Sequence, residues 1–230
     1  MRGVQRNHRL SAFTNQYQKK AQPRNSTQTS PAWPTKAPGL PPKCPKNVST
    51  TSNSIHGSKK ILSDPSCKEI PFQSRTIPRN SSIHSLFNRT LATLDTLRAC
   101  QAFLWIRDCR ENETPDSDDG KRKKECLLLA SMGRGLDGHP GMAHGGTIAT
   151  LFDEGLSLAG ALQVLEKAFV TGQSTIKYKA AVSTPGIVLV RCWCGRFEGR
   201  KAWVKGTMED GEGKVYAEAE SLFIMVKEKL

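Results

Sequence analysis

The first 63 residues of this 230-residue chain contain no Asp or Glu. They carry eleven Lys and Arg, so most of the net charge of +13 sits there and only +2 is left for the remainder. The charge is that of a basic tail, which speaks against a nucleic-acid-binding face on the folded part. No apolar run approaches the roughly 18 residues that span a bilayer, so no transmembrane segment is expected. The start also lacks the apolar stretch of a secretory signal. It shares its Arg-containing, Ser/Thr-rich composition with mitochondrial transit segments. On a helical wheel, however, Arg2, Arg6 and Arg9 overlap Leu10, Phe13 and Tyr17, and an intracellular, cytoplasmic protein is the expectation.

Paired cysteine motifs are missing too. The seven cysteines, at 44, 67, 100, 109, 126, 192 and 194, are odd in number and irregularly spaced, with no CxxC and no Cys/His ligand set. Reduced thiols are expected, with no metal site and no cofactor. Cys192 and Cys194 would share one face of a strand, which suits packing. Without a secretory signal, the Asn-x-Ser/Thr matches at Asn25, Asn47, Asn80, Asn88 and Asn112 are chance occurrences.

Residues 1–78 are rich in Pro, Ser, Thr, Asn and Lys. "SPAWPTKAPGLPPKCPK" cannot form a helix or a central strand, and the apolar content is too low to offset ordering entropy, so a disordered tail is expected. The folded domain is placed at 79–230. Its lead-in, 79–108, puts Leu86, Leu91, Leu94, Leu97 and Leu104 at mostly helical spacings, which predicts one or two amphipathic helices. "CRENETPDSDDGKRKK" reads as a charged loop. A short strand in "ECLLLASMGRG", a glycine loop and a helix from about His144 to Leu165 follow. Four strands then come at about 170–179, 187–198, 201–209 and 214–226, the last two joined by a tight turn at Asp210-Gly211 with Gly213. One helix against a largely antiparallel sheet makes the fold class α+β.

The stretch "GHPGMAHGGTIATLFDEGLSLAG" raises a chemical question: why does a helix that reads as buried carry Asp153 and Glu154? The opening His144-Gly145-Gly146 supplies backbone N–H groups without intrahelical partners at a positive helix end. Such a cradle can hold a carbonyl oxygen that gains negative charge. Asp153 lies among Ala149, Thr150, Leu156 and Ser157, small enough neighbours to leave room for a ligand, and there a carboxylate would be a base or nucleophile of raised pKa. Glu154 leaves the helix about 100° away and reads as solvent-facing, at most a substrate contact. His144 is expected to orient the loop by hydrogen bonds.

The motifs "GMAHGGTIATLFDE", "TGQSTIKYKAAVSTPG", "EGRKAWVKGTMED" and "KVYAEAESLFI" resemble, in order and over about a hundred residues, the hot-dog-fold thioesterases of the PaaI/acyl-CoA superfamily, nearest the thioesterase-superfamily-member-4 group and its fungal relatives. The resemblance implies an antiparallel sheet wrapped round a central helix, in a homodimer or dimer of dimers, with sites at the subunit interface. It implies hydrolysis of acyl thioesters on coenzyme A or acyl-carrier protein. Asp153 would be the catalytic acid residue, Gly145 the carbonyl-polarising amide and Thr171 the water-orienting hydroxyl, with His144 beside them. Gly146 and Glu154 would line the substrate. Gly138 stands where many members have Asn, so Asp137 or His139 could take over its substrate-orienting role. Ala181 replaces the Pro of the common Tyr-Lys-Arg-Pro pattern. Lys177, Lys179, Arg200 and Lys201 could meet nucleotide phosphates or a phosphopantetheine arm. The rival expectation is a non-catalytic hot-dog protein that binds an acyl ligand or a partner.

Overall fold

The computed structural model describes residues 59, 61–72, 74, 86–111, 113, 121–163 and 169–226. Nearly all of the expected basic tail lies outside these residues. Nine strands and one long helix are seen among them: β1 (Cys67–Ile70), β2 (Leu97–Asp108), β3 (Arg122–Met132), β4 (Asp137–His139), β5 (Met142–Ala143), α1 (Gly145–Ala161), β6 (Phe169–Tyr178), β7 (Gly186–Glu198), β8 (Lys201–Glu209) and β9 (Val215–Met225). Seven strands form one antiparallel sheet in the order β1-β2-β3-β7-β8-β9-β6, and β4 pairs with β5 alone. Helix α1 packs across one face of the large sheet. This is the α+β, hot-dog arrangement expected from the sequence.

The helix sits close because the row beneath it is small. Cys126, Cys192, Gly206, Ala219 and Ile176 are aligned across five strands. A Cβ on Gly155 of the helix would lie 3.0 Å from Cys192 Sγ, and one on Gly206 would lie 2.9 Å from the same sulfur. Ile148, Leu151, Phe152, Gly155, Leu156, Ala159 and Gly160 form the buried stripe at helical spacing. Leu151, Phe152 and Leu156 are wholly inaccessible, and each contributes about 1.5–3 kcal/mol by burial. Cys192 and Cys194 do share this core face, and burial pushes the Cys126 thiol up to about 12. The described cysteines are thiols.

Two readings of the sequence are corrected here. The expected helical lead-in over 79–108 is a strand from Leu97 onward, preceded by one π-helical turn at Leu86–Thr90. Strand β2 has apolar residues on both faces. Cys100 and Ala102 meet the helix-side core, while Ala99, Phe103 and Trp105 meet a second cluster on the far face. The polar alternation that marks a strand is therefore missing. The fold also reaches back past the expected boundary at 79. β1 pairs with β2, Leu62 and Cys67 cover the far face, and Phe72 enters the main core edge-on to Phe87 at 5.7 Å between ring centres.

The far face of β2, β3 and β7 also holds a charged cluster. Glu125, 2% exposed, accepts from Arg107 and from Arg191, and these reach on to Glu113 and Glu209. Each buried charge has a partner, as burial requires. The hydrogen bonds from Arg107 bring the Glu113 carboxyl down to about 2. The β8–β9 turn closes as expected, with Asp210 N–H donating to Lys214 O and Gly211 and Gly213 at φ 84° and 112°.

Candidate active site

Helix α1 begins at a cap made by its own first histidine. His144 has extended backbone, and its Nδ1 accepts the Gly146 N–H at 2.9 Å. A Cβ on Gly146 would lie at the same 2.9 Å from Nδ1, so only glycine fits under the ring. The His144 carbonyl takes the Thr147 N–H. The Gly145 N–H is left with no acceptor among the described residues, at the positive end of a 17-residue helix.

The loop before the helix is braced from both sides. Asp137 accepts the Gly141 N–H at 2.9 Å and the Thr184 hydroxyl. His144 N–H donates to Leu136 O, and Ala143 N–H to Val182 O. Gly138 lies so close to His144 that a Cβ would meet its Cα at 2.9 Å. Asp137 therefore holds the loop, and Gly138 gives His144 its place. His139 is exposed on β4.

Two turns along the helix, Asp153 Oδ1 accepts the Thr171 hydroxyl at 2.7 Å. The two residues named from the sequence are thus brought together, on an exposed flank of the helix beside β6. Glu154 does not face solvent as expected. It is the more enclosed of the pair, accepts the Ser74 hydroxyl at 2.8 Å, and burial raises its pKa. Ser74, expected to belong to the tail, supplies that contact.

The basic residues do not join this group. Lys179 is paired with Glu218. Arg200 donates to Met225 O, and Lys201 begins β8. Lys201 is aligned with Ile224 and Val170, one step from the row Ala202–Phe223–Thr171 that faces the helix, so it points to the opposite face. There Arg200, Lys201, Trp203 and Ile224 line an open cleft of about 400 Å³. Sequence reasoning missed Tyr178, whose hydroxyl donates to Gly145 O at 3.1 Å. Thr171 and Tyr178 are seven apart, which strict alternation would put on opposite faces. A bulge at Gly172 shifts the register, so both meet α1.

Residues 140–217 match the family model of the thioesterase superfamily. The chain is similar to the acyl-coenzyme A thioesterase THEM4 of Mus musculus, 34% identical over 105 residues, covering 45% of this chain and 44% of that protein. The Xenopus laevis protein of the same name is 30% identical over 105 residues, covering 45% and 46%. The matched part thus spans under half the length of these relatives. Among solved structures, a conserved protein from Pseudomonas aeruginosa aligns with a TM-score of 0.45 at 18% identity, over 65% of this chain and all of that one. A Bacillus halodurans protein solved with CoA aligns with a TM-score of 0.41 at 19% identity, over 44% and 66%. The segment matched by the family model runs from the loop before α1 to the third residue of β9. It holds the cap, Asp153, Thr171 and Tyr178 but leaves out β1, β2 and β3. No helix among the described residues is long and apolar enough to cross a membrane.

Proposed function

We propose that this chain hydrolyses acyl thioesters of coenzyme A. The observation that carries the reading is the Thr171–Asp153 hydrogen bond on a helix whose first N–H has no acceptor among the described residues. In this reading the thioester carbonyl oxygen accepts from Gly145 N–H. Thr171 holds one oxygen of Asp153, so the other faces a water molecule. The water oxygen bonds to the carbonyl carbon as Asp153 takes its proton. The tetrahedral intermediate then breaks its C–S bond, and the leaving thiolate takes the proton back. Direct attack by Asp153, through an anhydride that water then opens, uses the same residues.

The reading requires two copies of the chain. Gly145 and Asp153 are eight residues apart on one helix, about 12 Å along its axis. Both must come within about 3 Å of one thioester group. Strand β6 is one of the two edge strands of the described sheet and is mostly exposed on both faces, with Val170 and Tyr178 more than half accessible. Such an edge invites a second strand. Two β6 edges joined about a twofold axis set two α1 helices antiparallel, so that Gly145 of one copy meets Asp153 of the other.

A panel of acyl-CoA substrates, read by a thiol-trapping dye, tests the activity, with acyl-carrier protein as a parallel arm. Turnover that falls roughly a hundredfold or more in Asp153→Asn is expected. An acyl-CoA that binds without thiol release in the unaltered protein would overturn the reading in favour of a binding protein.

A further inference from the structure

Among the described residues, strand β6 makes two side-chain hydrogen bonds to the helix. Thr171 reaches Asp153, and seven residues on, Tyr178 reaches the helix start. The acceptor of Tyr178 is the Gly145 carbonyl, which belongs to the same peptide unit as the Gly146 N–H. That N–H is the one that caps onto His144 Nδ1 at 2.9 Å. One peptide plane therefore bridges two side chains, with Tyr178 donating to its oxygen and His144 accepting from its nitrogen. A hydrogen bond to a carbonyl polarises the amide and strengthens the bond its N–H makes. The Tyr178 ring also lies against Gly145, 3.6 Å from where a Cβ would be.

The consequence for His144 is chemical. A backbone N–H can only donate, so Nδ1 accepts, and the neutral imidazole carries its proton on Nε2. The first turn then offers two donors of fixed direction, Gly145 N–H and His144 Nε2–H.

We propose that Tyr178 is a positioning residue. It fixes the Gly145–Gly146 peptide plane and, through Gly146 N–H, the Nε2–H tautomer of His144, so that both donors are set before a thioester arrives. The role in turnover rests on the thioester-hydrolase reading; the tautomer does not.

The test is Tyr178→Phe in the full chain, which keeps the ring and deletes the hydroxyl. Three quantities are read: kcat and KM on an acyl-CoA, the melting temperature, and the imidazole 15N spectrum, with the His144 signals assigned by their loss in His144→Gln. Expected are a kcat lower by roughly tenfold, less than the loss from deleting a direct donor, a KM within about twofold, and His144 signals moved toward a mixture of tautomers. Unchanged His144 signals overturn the proposal, whatever the activity does. Moved signals with unaltered kcat overturn the link to turnover. Should the variant lose much thermal stability, the spectrum of the folded protein at lower temperature decides the same question. Should the unaltered chain turn over no acyl-CoA, the function reading fails alone and the spectrum still tests the relay.

Discussion

Asp153 and Glu154 are neighbours in sequence with different surroundings. Asp153 is held by Thr171 on an exposed flank, and Glu154 is tied to Ser74 in a more enclosed place. Asp153→Asn is expected to fold normally and to lose roughly a hundredfold or more in kcat. Thr171→Ala should lose less, because Asp153 stays but turns more freely. Glu154→Gln should be milder still, since an amide oxygen can accept from Ser74. One acyl-CoA assay across the three checks the order; a larger loss at Glu154 than at Asp153 would move the site by one residue. Glu154 also carries a pH signature. Its folded pKa is raised by burial, so the folded protein binds that proton more tightly than the unfolded chain. The stability this gives is complete below the ordinary glutamate pKa and is lost as pH rises through the raised value. Glu154→Gln should therefore melt at about the same temperature as the unaltered protein near pH 4, and gain on it toward pH 7.

At the scale of elements, residues 61–72 and Ser74 are part of the fold. A chain starting at residue 59 keeps Leu62, β1, Phe72 and the Ser74 contact, whereas one starting at residue 79 loses all four. The second should melt several degrees lower, since removing Phe72 alone costs about 3–5 kcal/mol by analogy with large-to-small core changes. Paired melting curves of the two truncations check this, and equal melting temperatures would make β1 dispensable. The site and the sheet were not equally legible in the sequence. The helix and strands β6 to β9 follow from period and turn residues that agree with their surroundings, such as Asp210 and Gly211 closing the last hairpin. β2 was unreadable because both its faces are buried, and β1 because Cys67–Ile70 is too short to show a period. Asp153 and the helix start at Gly145 were singled out from the residues themselves, and Thr171 through resemblance alone. Tyr178 was hidden by the Gly172 bulge, and Ser74 lies in polar sequence with nothing local to mark it.

For the whole molecule, the central question is whether one copy contains a complete site. Gly145→Pro removes the proposed donor with little disturbance. Proline suits the first helical position, and His144 at φ −64° and ψ 139° already has the extended backbone a residue before proline needs. Alone, Gly145→Pro and Asp153→Asn should each lose about a hundredfold or more. Mixed and re-equilibrated, they should recover roughly a quarter of normal activity, because half the dimers are hybrids and each hybrid has one intact site. Activity that stays at the level of the separate variants would mean that each copy works alone.

The strand order sets a timetable for the growing chain. β6 carries Thr171 and Tyr178, yet its neighbour in the sheet is β9, the last strand described, while β7 and β8 are made in between. As the polypeptide leaves the ribosome, β7 can dock on β3 and β8 on β7 while β6 still waits for its seat. The grip on Asp153 and on the Gly145 carbonyl thus has to wait until β9 is out. A stop codon just after Lys214 would leave every catalytic candidate in the translated product and still leave β6 without its partner strand.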